Sequence, residues 1–187
     1  GSIASLGSKF ILTLRAINAA TGETLASTQQ EADTREGVLR ALGTAASEIR
    51  TRLGESLGSL ERFDAPIEQA TTASLDALKA YSQGNERRAL AREQEAIPFY
   101  ERAVQLDPNF AMAYARMSVV RFNHGDFPRA AADAARAYEL RERVSERERL
   151  YITARHLTMT GDRQGLQKLY HLWKDTYPRD TTPRNNL

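Results

Sequence analysis

The chain has 187 residues, with 26 Lys and Arg against 24 Asp and Glu, so its net charge is only +2. Its arginines are interleaved with glutamates and no long run carries one sign, which argues against a nucleic-acid surface. Without cysteine it can hold neither a disulfide framework nor a thiolate zinc site, and no apolar run nears the roughly 20 residues that cross a bilayer. No charged n-region with an apolar h-region reads as a signal peptide.

Residues 1–8, GSIASLGS, are small and are expected to be flexible. Lys9–Asn18 is rich in β-branched and aromatic residues, and Phe10, Leu12 and Leu14 alternate with Ile11, Thr13 and Arg15. Asn18–Glu23 reads as a turn in which Gly22 is free to take positive φ. Thr24–Ala32 returns as a second, more polar strand, so a β-hairpin is expected. Thr34 or Asp33 would cap a helix over Glu36–Leu53, with Val38, Leu39, Leu42, Ala45, Ala46, Ile49 and Leu53 on one stripe. Leu57, Leu60 and Phe63 continue the apolar spacing. Residues 1–63 thus form the front part, and residues 64–71 around Pro66 read as a linker.

Residues 72–180 carry an internal repeat. Gly84, Ala96, Tyr100, Ala103, Leu106 and Pro108 are answered by Ser118, Ala130, Ala134, Ala137, Leu140 and Glu142. Ala154, Leu166, Tyr170, Trp173, Thr176 and Pro178 follow after a two-residue offset. Small residues at matching places let two helices cross closely. Gly125 and Gly161 suit the turns between paired helices, followed by Asp126 and Asp162 as N-caps. Ser145 and Glu148 match a capping box. Pro98 and Pro128 are expected in first turns, where a missing N–H is tolerated. Residues 181–187 read as a polar tail.

This period of about 34 residues, with Asn109-Phe110 after Leu106-Asp107-Pro108, resembles the tetratricopeptide repeat (TPR). The resemblance implies a mainly α protein: a TPR-like α–α superhelix of three helix pairs at 77–110, 111–144 and 147–180. In the third pair Leu166 and Trp173 replace the usual alanines, which implies a splayed or capping last hairpin. A hairpin plus one helix is too little to stand alone, so the front part is expected to be the remnant of a truncated α/β domain. It resembles the closing segment of the TolB-like domain that precedes such repeats in bacterial multidomain signalling proteins. Those proteins often carry a protein kinase or a DNA-binding domain upstream, then a membrane span. The resemblance therefore implies an extracytoplasmic piece of a membrane-anchored protein, with a cytoplasmic location as the alternative.

The residues offer little chemistry. His124, His156 and His171 stand apart, and no HExxH, phosphate-binding glycine loop or G-x-S-x-G occurs. No cofactor, metal or catalytic residue is expected, and the acidic residues read as solvated faces and caps. The concave face of such a repeat is lined by the first helix of each pair. The expected partner-binding residues are Tyr81, Asn85 and Arg88, then Met112, Phe122 and Asn123, then Tyr151, Arg155 and Thr158. Aromatics, amides and arginines are enriched in binding surfaces, and an extended peptide or a helix would fit. For Leu78, Val119 and Phe122, inter-helix packing is the stronger reading.

The chaperone-tail clamp known from such repeats does not fit. Its positions hold Tyr81, Asn85, Arg116, Glu148 and Ile152, where only Asn85 agrees and Glu148 would repel a carboxylate. Two functions remain: a module that binds a protein or peptide, and a self-association module pairing as a homodimer through the hairpin edge. Neither nucleic-acid binding nor membrane insertion is expected.

Overall fold

The structure is a computed structural model that describes residues 1–35, 37–54, 72–178 and 180–187. The linker expected at 64–71 and the apolar positions 57, 60 and 63 lie outside the described residues. The chain forms two compact units, Gly1–Leu75 and Asp76–Leu187.

The first unit is an antiparallel meander with one helix. Strands β1 (Ser2–Leu6), β2 (Lys9–Ile17) and β3 (Thr24–Ala32) pair in that order. The sequence implied flexible residues before a two-stranded hairpin; Ser2–Leu6 instead pairs in register with Leu6↔Lys9 through Ser2↔Thr13. The strand forms because β2 would otherwise leave a row of backbone groups unpaired, and Gly7, at φ 62, makes the tight return. The second turn is as expected. Asn18 Oδ1 accepts the Ala20 N–H at 2.9 Å, and Gly22 sits at φ 74.

Helix α1 (Gly37–Arg52) lies on β2 and β3. The Thr34 hydroxyl accepts the Gly37 N–H at 3.2 Å and caps it. Leu12, Ala32, Val38 and Ala41 form its core, while Glu48 accepts hydrogen bonds from Thr28 and Gln30 of β3. Leu53, expected on the apolar stripe, lies past the helix end and is 51% exposed.

The second unit is helical. Helices α2 (Leu75–Ala89) and α3 (Glu93–Leu106) make one pair, α4 (Ala111–Asn123) and α5 (Phe127–Glu139) the next, and α6 (Glu146–Thr160) and α7 (Arg163–Thr176) the last. The connections within pairs are short, each helix from α4 to α7 packs on the one before it, and α2 meets α3 through the rings of Tyr81 and Tyr100. Helices α4 and α6 also touch. The alanines do what their spacing implies: Ala96, Ala103, Ala130 and Ala137 are all at 0% exposure. Without side-chain bulk at those points, the helix backbones approach closely.

The helix ends follow the local signals. Gly125 and Gly161 take φ of 80 and 74, conformations that an L side chain resists. Asp126 and Asp162 then accept the N–H groups of Arg129 and Gly165. The Ser145–Glu148 capping box forms in both directions, and a 3₁₀ turn, Arg141–Arg143, takes up the two-residue offset before it.

Two local expectations fail. Pro98 lies inside α3, which begins five residues earlier at Glu93, so the proline is past the first turn. Its missing N–H removes an interior helix bond, and packing of the flanking Ala96 and Tyr100 makes up the loss. Pro128, by contrast, is in the first turn of α5. The tail is not all loose polar chain: Thr182–Asn186 forms a short helix, α8, that packs on α7 with Pro183 buried. Its start is fixed by Asp180, whose carboxylate accepts the Thr182 N–H at 2.9 Å.

Candidate partner-binding face

The expected contact residues lie on the first helices of the pairs, α2, α4 and α6. Tyr81 of α2 is half-buried and packs on Phe110 and Tyr100, with ring centroids 4.8 and 5.7 Å away. Arg116 of α4 sits between two tyrosines. Its Nε donates to the Tyr81 hydroxyl at 3.5 Å and its Nη1 to the Tyr151 hydroxyl at 3.0 Å. The guanidinium also stacks on the Tyr151 ring, 4.7 Å from its centre. One arginine therefore ties all three first helices together.

A second tier lies one helical turn on. Asn85 accepts from the hydroxyl of Tyr100 at 2.8 Å. Burial pushes the Tyr100 phenol up to about 12, which keeps it a donor. Arg155 of α6 reaches across to α4. Its Nε donates to Ser118 Oγ at 2.9 Å and its Nη2 to the Ser118 carbonyl at 3.0 Å. Ser118 Oγ itself donates to the Ala130 carbonyl at 2.7 Å. The Arg155 guanidinium lies over the Phe122 ring at 4.7 Å, and Phe122 meets Phe127 edge-on at 5.3 Å.

The third tier is ionic. Arg88 contacts Glu93 at 3.4 Å, and the exposed Asn123 donates to the same carboxylate at 3.0 Å. The Asn123 amide and then Arg88 hold the Glu93 carboxyl below the usual carboxylate range against the effect of burial. Arg88 Nε is buried without a hydrogen-bond partner among the described residues.

The structure thus places Tyr81, Tyr151, Arg155, Asn85, Arg88, Asn123 and Phe122 in three linked tiers. Met112 does not join them. It is 6% exposed and belongs to the core with Ala77, Ala80 and Ile152, because the helix face it occupies is the one turned onto neighbouring helices. Thr158 is exposed and returns its hydroxyl to the Ala154 carbonyl at 2.8 Å. Glu148 is drawn into its capping box and Ile152 is fully buried, which removes both clamp positions from any ligand.

Three participants were not expected in these roles: Arg116, met in the sequence only at a clamp position, is the bridge; Ser118, met only as a small residue of the repeat, is a hydrogen-bond relay; and Glu93 carried no mark. The equal step of 35 residues from Tyr81 to Arg116 and from Arg116 to Tyr151 is the signal that could have found the first. Among the described residues no cluster of His, Asp and Glu could hold a metal ion, and no helix is long and apolar enough to cross a membrane. His156 is stacked on Tyr138, 4.0 Å between centroids, and His124 Nδ1 lies 2.8 Å from the Val120 carbonyl. No protein-family model matches the chain, and no curated protein matches it.

Proposed function

We propose that the three helix pairs form a TPR-like superhelix and that the chain is an interaction module of a larger bacterial signalling protein. In this reading a peptide or a partner helix lies along α2, α4 and α6. The supporting observation is the Tyr81–Arg116–Tyr151 ladder, which aligns half-buried aromatic and cationic groups from all three first helices. Such groups supply contact area and hydrogen bonds at little entropic cost. The role of the N-terminal unit as the closing segment of a TolB-like domain belongs to the same proposal. Peptides selected from a displayed random library should bind the chain. In an NMR titration they should shift amides of α2, α4 and α6 ahead of those of α3, α5 and α7. Shifts confined to the second helices would overturn the reading.

A second reading, self-association, rests on β1. This edge strand carries no charge and no proline, and Ile3 within it is 55% exposed. Edges of that kind pair with other chains. Sedimentation velocity over a wide concentration range tests it, and a monomer at every concentration removes it.

A further inference from the structure

Arg116 and Arg155 are both half-buried, and among the described residues neither has a carboxylate partner. Their hydrogen bonds go to neutral acceptors only: two tyrosine hydroxyls for Arg116, and Ser118 with the Met159 sulfur for Arg155. Neighbouring arginines behave differently. Arg121 is held by Asp133 and Glu101, each at 2.7 Å, and Arg88 faces Glu93. Taking a charge out of water without a counter-ion is costly, so buried guanidiniums are ordinarily paired. Burial lowers the affinity of Arg155 for its proton, and no carboxylate offsets this.

Each guanidinium also keeps one nitrogen in reserve. Among the described residues, Nη2 of Arg116 and Nη1 of Arg155 have no hydrogen-bond acceptor, and neither is a fully buried unsatisfied atom. Tyr151 and Arg155 are four residues apart on α6, about 6 Å of helix rise, and Arg116 stacks on Tyr151. The two guanidiniums are thus attached to α6 at positions one helical turn apart. Alternate residues of an extended peptide are separated by about 6.6 Å.

We infer that Arg116 and Arg155 form a two-point anchor for an extended acidic peptide with Asp or Glu at alternate positions. The inference rests on the proposed peptide-binding role of this face and names the chemistry of its ligand. The intervening side chain of the peptide points away from the arginines. The rings of Tyr151 and Phe122 hold the guanidiniums from behind, so little freedom is lost on binding. A phosphate backbone fits less well, because the net charge is only +2 and the cations are interleaved with acids, whereas a nucleic acid engages a longer row of cations.

The test is fluorescence anisotropy with a labelled peptide carrying Glu-Ala-Glu, its Gln-Ala-Gln counterpart, and a single-stranded oligothymidine. The acidic peptide should bind about tenfold or more tightly than the amide peptide, since charge-assisted bonds are roughly twice as strong as neutral ones. Its affinity should fall as salt rises. Arg116→Gln and Arg155→Gln should each remove that preference while the helical circular dichroism persists. Should Arg116→Gln fail to fold, Arg155→Lys serves instead; it keeps the charge but loses the fork, and should weaken binding without abolishing salt dependence. Equal binding of both peptides overturns the anchor and leaves the peptide-binding reading standing. Binding of neither, with no library peptide bound either, overturns both. Tighter binding of the oligothymidine through the same arginines overturns the acidic-peptide assignment.

Discussion

The ring of Tyr100 occupies the space that a side chain on Gly84 would need. A Cβ built at Gly84 would stand 2.5 Å from Cε1 and 2.8 Å from Cδ1 of that ring. Tyr100 is fully buried, packs against Ala96, Met117 and Val120, and is fixed through its hydroxyl to Asn85. The ring has no room to retreat. Gly84→Ala should therefore destabilise the second unit by about 1–3 kcal/mol through overpacking, although alanine is the better helix former by about 1 kcal/mol. Thermal unfolding followed by circular dichroism checks this, and a raised melting temperature would refute it. Tyr100→Leu in the same chain should relieve most of the penalty.

At the other end of the unit, Trp173 is 1% exposed and its indole N–H donates to Asp180 Oδ2 at 3.1 Å. The same oxygen accepts from Arg147 Nε at 2.8 Å. Asp180→Ala leaves a buried indole N–H without an acceptor and should cost about 2–4 kcal/mol, while Asp180→Asn should cost less, because its side-chain oxygen can still accept. Burial alone would raise the Asp180 carboxyl, but the donors from Arg147 and Thr182 prevail and hold it below the ordinary 3.8. Its contribution is therefore present above about pH 4 and fades as pH falls through its lowered folded value. Acid unfolding of Asp180→Asn should begin from a lower stability and show a weaker pH dependence below pH 4.

Asp133 has the opposite sign. Burial pushes its carboxyl up to about 6 from 3.8, even against Arg121. The folded state then takes up this proton before the unfolded chain does. Stability should rise, not fall, as pH drops from about 6 towards 4, by up to about 2–3 kcal/mol from a shift of two units. The Asp133 and Asp180 windows barely overlap. Melting temperatures measured from pH 7 to 4.5 should climb in the wild type and stay flatter in Asp133→Asn; equal slopes would contradict the assignment.

The capping box at the start of α6 offers a smaller effect. Ser145 Oγ accepts the Glu148 N–H at 3.4 Å, and Glu148 in turn accepts the Ser145 N–H at 3.3 Å. Ser145→Ala should cost about 1 kcal/mol. Glu148→Ala should cost less, and the double variant less than the sum, because the two bonds share one turn. Urea denaturation of the three variants measures the coupling.

Features that depend on a few adjacent residues were readable along the chain. The Gly125-Asp126 and Gly161-Asp162 turns, the Ser145–Glu148 cap and the Asn18–Gly22 turn all appear where their residue types require, since their hydrogen bonds close within a few positions. The buried alanines were readable for a related reason: a repeat shows the same packing demand several times over. What escaped was settled between distant residues. β1 exists because another strand offers it an edge, and Pro98 sits mid-helix because packing around Tyr100 outweighs a local preference.

The candidate face divides in the same way. Periodicity placed Tyr81, Tyr151 and Arg155 on first helices, but it also placed Met112 there, and only the neighbouring helices make that residue core. That Arg116 joins Tyr81 to Tyr151, or that Trp173 finds Asp180, follows from side chains meeting across folded helices. The amino-acid order alone determined where helices start, stop and repeat, because those choices are made by backbone groups within one turn. Tertiary structure alone decided which cations have an acid beside them and which, like Arg116 and Arg155, do not, because Coulomb partners are chosen by distance in space.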